Sequence, residues 1–316
     1  MGFGSFSKPE RRISVMVFRL AVLLLIWPAP LLHAQSRFHV EVTTVLLEAV
    51  VVRSDGSLVK GLTRDKFEVF EDGRSQPLVY FSESPDLPVS LGVLVDEGAA
   101  MKDTALLDVK RFLFDFVHRL KPQDEILLGA YSSDVRFLTS LTSNRLVLTK
   151  ALDEIYTGKR GSVFENERWN FSGNSNTGYA VDYLIREMRT ARHPRKVILV
   201  FSSTFNNTGE ATEEHLRRAD MFLYSVAFKN TTSKVLSMGG DLKAKGRILQ
   251  RTAGLNFDFA PEPELPARVA GAVQYQYSLG YAFTGEKDIS KRKIEVRVAG
   301  TDYEVRFRPK LLERHR

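Results

Sequence analysis

The chain has 316 residues, 43% of them hydrophobic and 26% charged, enough for one large or two small domains with an ample core. Its formal charge is +7, but Lys8, Arg11, Arg12 and Arg19 against Glu10 place +3 of this in residues 1–34 and leave +4 for the rest. No Lys/Arg run interleaved with aromatics suggests a nucleic-acid groove, and the absence of cysteine excludes disulfides, thiolate metal sites, cysteine nucleophiles and a lipidated cysteine.

Residues 1–34 read as an export signal. A basic start leads into Leu20-Ala21-Val22-Leu23-Leu24-Leu25-Ile26-Trp27, then Pro28, Pro30 and a small residue at Ala34. The apolar run is short for a membrane span, and Arg19 interrupts its front. Cleavage is expected after Ala34; the alternative is an uncleaved N-terminal anchor, the one route by which this chain would touch a membrane.

Residues 38–86 form a β-rich segment. Val40, Val42, Val45, Leu47, Val50 and Val52 lead to a turn at Ser54-Asp55-Gly56-Ser57, and Phe67-Glu68-Val69-Phe70 meets the hairpin signal Asp72-Gly73. From Pro88 the pattern changes to alternating strand and helix. Val89-Ser90-Leu91-Gly92-Val93-Leu94-Val95 is a continuous apolar run ending at Asp96, as expected of a strand buried on both faces of a parallel sheet. Ligands of open α/β sheets bind beyond the carboxyl ends of such strands, which makes Asp96 the first place to look for chemistry. A helix is predicted over 103–120, with Leu106, Val109, Leu113, Phe116 and Leu120 on one stripe. A strand over 126–131 follows, with a hairpin partner at 135–138, then a helix over 144–155. Residues 157–176 are a polar, Gly/Asn/Ser-rich loop. Beyond it come a helix over 177–192, a buried strand Val197–Phe201 ending at Ser202-Ser203-Thr204, a short helix near 212–219, a strand Met221–Phe228, a helix near 241–252 and Asn256–Asp258. The fold class is therefore α/β, a doubly wound and mostly parallel sheet with helices on both faces, over residues 88–262. Strands return at 277–309, and the two β-rich ends are expected to pair into one small β-sandwich into which the α/β part is inserted.

Several stretches carry a family resemblance. Residues 88–262 resemble a von Willebrand factor type A domain. The span 38–308 looks like the acidobacterial exported family related to it, through Gly61-Leu62-Thr63-Arg64-Asp65-Lys66-Phe67, the Pro88–Asp96 strand, and Gln274-Tyr275-Gln276-Tyr277-Ser278-Leu279-Gly280-Tyr281. The resemblance implies a metal-ion-dependent adhesion site, made from Asp-x-Ser-x-Ser after the first strand, a later Thr and a still later Asp. A hard cation such as Mg²⁺ needs six oxygens in near-octahedral array. Here the first motif reads Asp96-Glu97-Gly98-Ala99-Ala100, so both serines are gone; Thr177 matches the threonine, and Ser203 stands at the last aspartate. That leaves Asp96, Thr177 and Ser203 as a weak donor set. No metal or other cofactor is expected, with Asp96 instead bonded to nearby amides or to Thr177. Glu97, next in an extended chain, points the other way.

Other chemistry lacks its residues. The six histidines show no ligand spacing, Gly158-Lys159-Arg160-Gly161-Ser162 lacks phosphate-loop spacing, and there is no nucleophile elbow or nucleophile–base pair. Phe164, Trp169 and Phe171 in the polar loop offer a contact surface for another protein, or tuck onto the domain itself. The resulting reading is a non-enzymatic protein-binding module, periplasmic or secreted. It binds another protein without metal through Asp96, Thr177 and the 157–176 loop. The alternative is a scaffolding component with a vestigial site that assembles through its sandwich.

Overall fold

The computed structural model describes residues 1–2, 43–84, 87–98, 101, 103–132, 134–156, 175–203, 208–228, 239–260, 262–283 and 292–312. The expected export signal and the aromatics Phe164, Trp169 and Phe171 lie outside these residues. The fold described here belongs to the unit Val42–Arg316. Among the described residues no helix is long and apolar enough to cross a membrane.

Six strands form the central sheet: β5 (Val89–Asp96), β6 (Glu125–Tyr131), β7 (Val135–Phe137), β8 (Arg195–Ser202), β9 (Met221–Ala227) and β10 (Asn256–Asp258), in the order β10-β9-β8-β5-β6-β7. All pairs are parallel except the edge pair β6–β7. Every residue of β5 and β6 is buried, because helices cover both faces and leave no solvent-facing alternation. On one face lie α1 (Asp103–Arg119) and α2 (Arg145–Ala151), whose Leu106, Val109, Phe112, Phe116 and Leu148 share a core with Leu91, Val93 and Leu199. On the other lie α3 (Thr177–Glu187), α4 (Glu210–Arg218) and α5 (Gly239–Arg251), which bring Val181, Leu184, Leu216 and Ile248 against Leu94, Ile198 and Leu223. Gly92 is required by this packing, since a Cβ there would stand 2.6 Å from Leu184 Cδ2. Phe114 falls off the α1 core stripe and is exposed.

A further helix, α6 (Leu265–Gln274), has no counterpart among the expected elements. Its Leu265, Val269, Ala270 and Val273 complete the first core, with Pro266 in its opening turn, where a missing N–H costs nothing.

The remaining strands are β1 (Thr43–Val52), β2 (Phe67–Glu71), β3 (Arg74–Gln76), β4 (Leu78–Ser84), β11 (Gln276–Phe283), β12 (Ile294–Val298) and β13 (Glu304–Leu312). They build two antiparallel sheets, β13-β1-β11-β4 and β12-β2-β3, each combining N- and C-terminal segments as expected. Alternation along β1 gives its two faces different tasks. Val45, Leu47, Ala49 and Val51 enter the sandwich core with Phe67, Tyr277 and Leu279, while Val50 and Val52 join the first α/β core.

A buried cationic joint fastens the sandwich to the central sheet. Arg195, at the start of β8, donates from Nε to the Val273 carbonyl at 2.6 Å and from Nη2 to the carbonyls of Ala272 and Tyr275 at 3.3 and 3.2 Å. These carbonyls belong to the last turn of α6 and the residue after it, where acceptors lack helical partners. Nη1 reaches Gln276 Oε1 on β11. Arg195 and Arg308 of β13 both lie over the Phe222 ring, at 4.6 and 4.1 Å, and Arg308 pairs with Glu48 and Asp220.

Candidate functional site

The carboxyl end of β5 gathers residues from four parts of the chain. Asp96 is fully buried and accepts three hydrogen bonds. The Gly98 amide donates to Oδ1 at 2.8 Å, Ser175 Oγ donates to the same oxygen, and Ser202 Oγ at the end of β8 donates to Oδ2 at 2.8 Å. Parallel register brings Ser202 there, because Val95 pairs with Phe201 and the two strands end together. Ser175 is held by its neighbour Asn176. That residue donates its amide to Ser132 O at 2.9 Å and caps α3 by accepting from the Tyr179 amide at 3.0 Å.

Thr177 is not among the hydrogen-bond partners of Asp96. Its buried hydroxyl meets the Tyr131 hydroxyl at 3.0 Å. Ser203, the residue expected at the last ligand position, keeps a buried Oγ with no hydrogen-bond partner, and the serine hydroxyl that reaches Asp96 is that of Ser202. Sequence reasoning missed Ser175, Ser202 and Tyr131 because they come from separate loops and strands. For Ser202 a signal existed, since it ends the apolar run of β8 as Asp96 ends that of β5.

Burial sets the electrostatics. It raises the Asp96 pKa above the usual carboxylate range, against the opposing pull of Ser175, the Gly98 amide and Ser202. Burial, then the nearby Asp96 charge, pushes the Tyr131 phenol up as well.

Glu97 turns to the opposite side, as alternation requires. Its carboxylate accepts Arg136 Nη2 at 3.0 Å on both oxygens and the Tyr156 amide at 2.8 Å on Oε1. Arg136 also donates to Glu154 O at 3.0 Å and lies 4.6 Å over the Tyr156 ring. The Glu97 pKa is raised by burial, opposed by the Tyr156 amide and Arg136.

Among the described residues the donor set does not suit a divalent cation. Asp96 is its single carboxylate, and both of its oxygens are engaged by protein donors. Glu97 is bound elsewhere, and among the described residues no group of three or more His, Cys, Asp or Glu could hold a metal. Position 98 offers no room for a ligand either, because a Cβ there would stand 2.1 Å from Ser175 Oγ. The hydroxyls of Ser175 and Ser202 supply structure to the carboxylate rather than open coordination positions.

Beside this hydroxyl cluster is an exposed aromatic row. Tyr179 and Tyr183, one turn apart on α3, have ring centroids 5.8 Å apart, and Tyr183 stacks on Phe137 of β7 at 5.7 Å. Tyr179 and Tyr183 are 45% and 37% exposed, in the helix whose N-cap lies one residue from Ser175. Their i, i+4 spacing was legible in the sequence; their solvent-facing side was not.

A family model for the von Willebrand factor type A domain matches residues 91–248. Among solved structures, the chain is similar to the conserved hypothetical protein BatB from Bacteroides thetaiotaomicron, at 14% identity and a TM-score of 0.44 over 58% of this chain and 95% of that one. It is also similar to the vWF domain of the type V pili tip protein Mfa5 from Porphyromonas gingivalis, at 11% identity and a TM-score of 0.43 over 60% and 95%. A von Willebrand factor type A protein from Catenulispora acidiphila aligns at 10% identity and a TM-score of 0.44 over 77% and 73%. No curated protein matches the chain.

Proposed function

Because this chain belongs to the von Willebrand factor type A domain family, we propose that it is an exported, non-enzymatic protein-binding module that works without metal through the carboxyl end of its central sheet. The observation that carries this reading is the exposed Tyr179–Tyr183 pair, backed by the half-buried Phe137 and set beside a buried carboxylate whose oxygens already have protein donors. Tyrosine presents a large, rigid contact area with a polar tip, the kind of side chain that anchors protein interfaces. In this reading Asp96 and Thr177 shape the surface from below, and Phe164, Trp169 and Phe171 take part in binding. In this reading the adhesion metal site is degenerate, and the likeness of the motifs at 61–67, 88–96 and 274–281 to those of the acidobacterial exported relatives of the type A domain supports export. Type A domains are as a rule non-catalytic, in keeping with the absence of a nucleophile–base pair in the sequence.

The test is quantitative affinity capture from the envelope fraction of the producing cells, comparing wild type with Tyr179→Ser/Tyr183→Ser. A partner retained by wild type in EDTA and reduced at least about tenfold in the variant, or about 1.4 kcal/mol, is the expected result. Recovery of the same proteins in equal amount by the variant overturns the reading.

A second reading, assembly through the sandwich, is favoured by β4. It ends its sheet, and Val79 and Tyr80 on it are 54% and 49% exposed with no lysine or proline inside the strand to discourage pairing. Light scattering that gives a stable oligomer for wild type and a monomer for Val79→Lys would move the conclusion to this reading.

A further inference from the structure

We infer that Ser175 supplies, from the far side of segment 157–174, the hydroxyl that position 98 lacks, and that Asp96 and Glu97 together form a cation-free clasp on Ser175 and Tyr156, the two residues flanking that segment. The first part rests on occupancy. A Cβ built at Gly98 would lie 2.1 Å from Ser175 Oγ and 3.0 Å from Asp96 Oδ1, so a side chain at 98 and the Ser175 hydroxyl compete for one place beside the same oxygen. Gly98 is not among the residues with left-handed backbone. Space, not conformational freedom, is therefore what a side chain there would lack.

The second part rests on strand alternation. Adjacent residues at the end of β5 point to opposite sides. Asp96 therefore takes the hydroxyl at the C-terminal flank of the segment, through Ser175, and Glu97 takes the amide at its N-terminal flank, through Tyr156 at 2.8 Å. Arg136 closes the Glu97 side by bonding both carboxylate oxygens and the Glu154 carbonyl, all at 3.0 Å. One of the two Asp96 oxygens that a cation would need, Oδ1, is thus the one that fixes the C-terminal flank. The inference concerns the same end of the sheet as the proposed function but requires no protein partner, so the two fail separately.

The test is a double-mutant cycle on the full chain, Ser175→Ala, Gly98→Ser and the two combined, followed by thermal unfolding with EDTA and with about 5 mM Mg²⁺, and by amide hydrogen exchange. Ser175→Ala is expected to lower Tm by about 4–8 °C and to speed exchange at Asn176–Tyr179. Gly98→Ser is expected to lower Tm through the clash with Ser175 Oγ. The double variant is expected to regain at least about half of the summed loss, because the new hydroxyl then meets an empty place next to Asp96. Mg²⁺ is expected to change the wild-type Tm by less than about 1 °C. Losses that simply add in the double variant overturn the exchange of hydroxyls. A wild-type Tm raised several degrees by Mg²⁺, and not in Asp96→Asn, overturns the cation-free clasp. Should Gly98→Ser fail to fold, Ser175→Ala decides: unchanged exchange at Asn176–Tyr179 refutes the clasp, and faster exchange there with no Mg²⁺ effect upholds it.

Discussion

Replacing Asp96 with asparagine separates a buried structural carboxylate from a metal ligand. Asparagine keeps the shape: its Oδ1 can accept from the Gly98 amide and Ser175 Oγ, and its Nδ2 can donate to Ser202 Oγ. Three hydrogen bonds to a charge become three neutral ones, a loss of about 1 kcal/mol each. Against this, the folded state no longer holds an ionised carboxylate out of water, which in proteins costs several kcal/mol per ion. The raised pKa of Asp96 gives the sign of the balance, because burial outweighs the three donors. Asp96→Asn is therefore expected to stabilise the protein at pH 7 by about 1–2 kcal/mol, or to raise Tm by about 2–6 °C. The pH dependence follows from the same sign. With its folded pKa raised, the stability linked to Asp96 is fully present below the unfolded value near pH 4 and is lost as pH rises through the folded value. The advantage of the variant should accordingly shrink as the solution is acidified toward pH 4. Calorimetric melting of both proteins between about pH 4 and 8 checks this. A variant less stable than wild type by more than about 2 kcal/mol at neutral pH, or a gap that widens on acidification, would mean that the carboxylate charge is itself stabilised, and the reasoning would fail.

Two further outcomes test the frame around the site. Arg195→Lys replaces a fork that reaches Val273, Ala272, Tyr275 and Gln276 with a point donor. It should cost about 3–5 kcal/mol in urea unfolding, and a loss below about 1 kcal/mol would show that the joint adds little. Gly92→Ala drives a methyl to 2.6 Å from Leu184 Cδ2. A loss of about 1–3 kcal/mol is expected, recovered in part by Leu184→Val, and a neutral single variant would contradict the tight seating of α3 on β5.

The sheet was legible because its signals are local. Val89–Val95 and Val197–Phe201 are continuous apolar runs that only a strand covered on both faces can bury, and Asp72-Gly73 marks a hairpin that the pairing of β2 with β3 realises, with Asp72 at φ 50°. Helix α6 was not legible for an equally local reason. In Leu265-Pro266-Ala267-Arg268-Val269-Ala270-Gly271-Ala272-Val273 the alanines favour a helix, but Pro266, Gly271 and the β-branched Val269 and Val273 oppose it and the apolar stripe is blurred. It is helical because packing beneath the sheet and the Arg195 fork at its last carbonyls hold it so.

By itself the sequence determined that a carboxylate ends the central strand, that two serines of the expected motif are missing, and that Glu97 must face away from Asp96. Each follows from residue identity and the two-residue period of a strand. Only the tertiary structure decided which groups satisfy Asp96. Ser175 and Ser202 lie 79 and 106 residues away along the chain, and no pattern in their neighbours names the carboxylate they meet. A buried polar atom must find a partner, but which one it finds depends on where two separate loops are brought by the packing of α3 and the parallel register of β8 against β5.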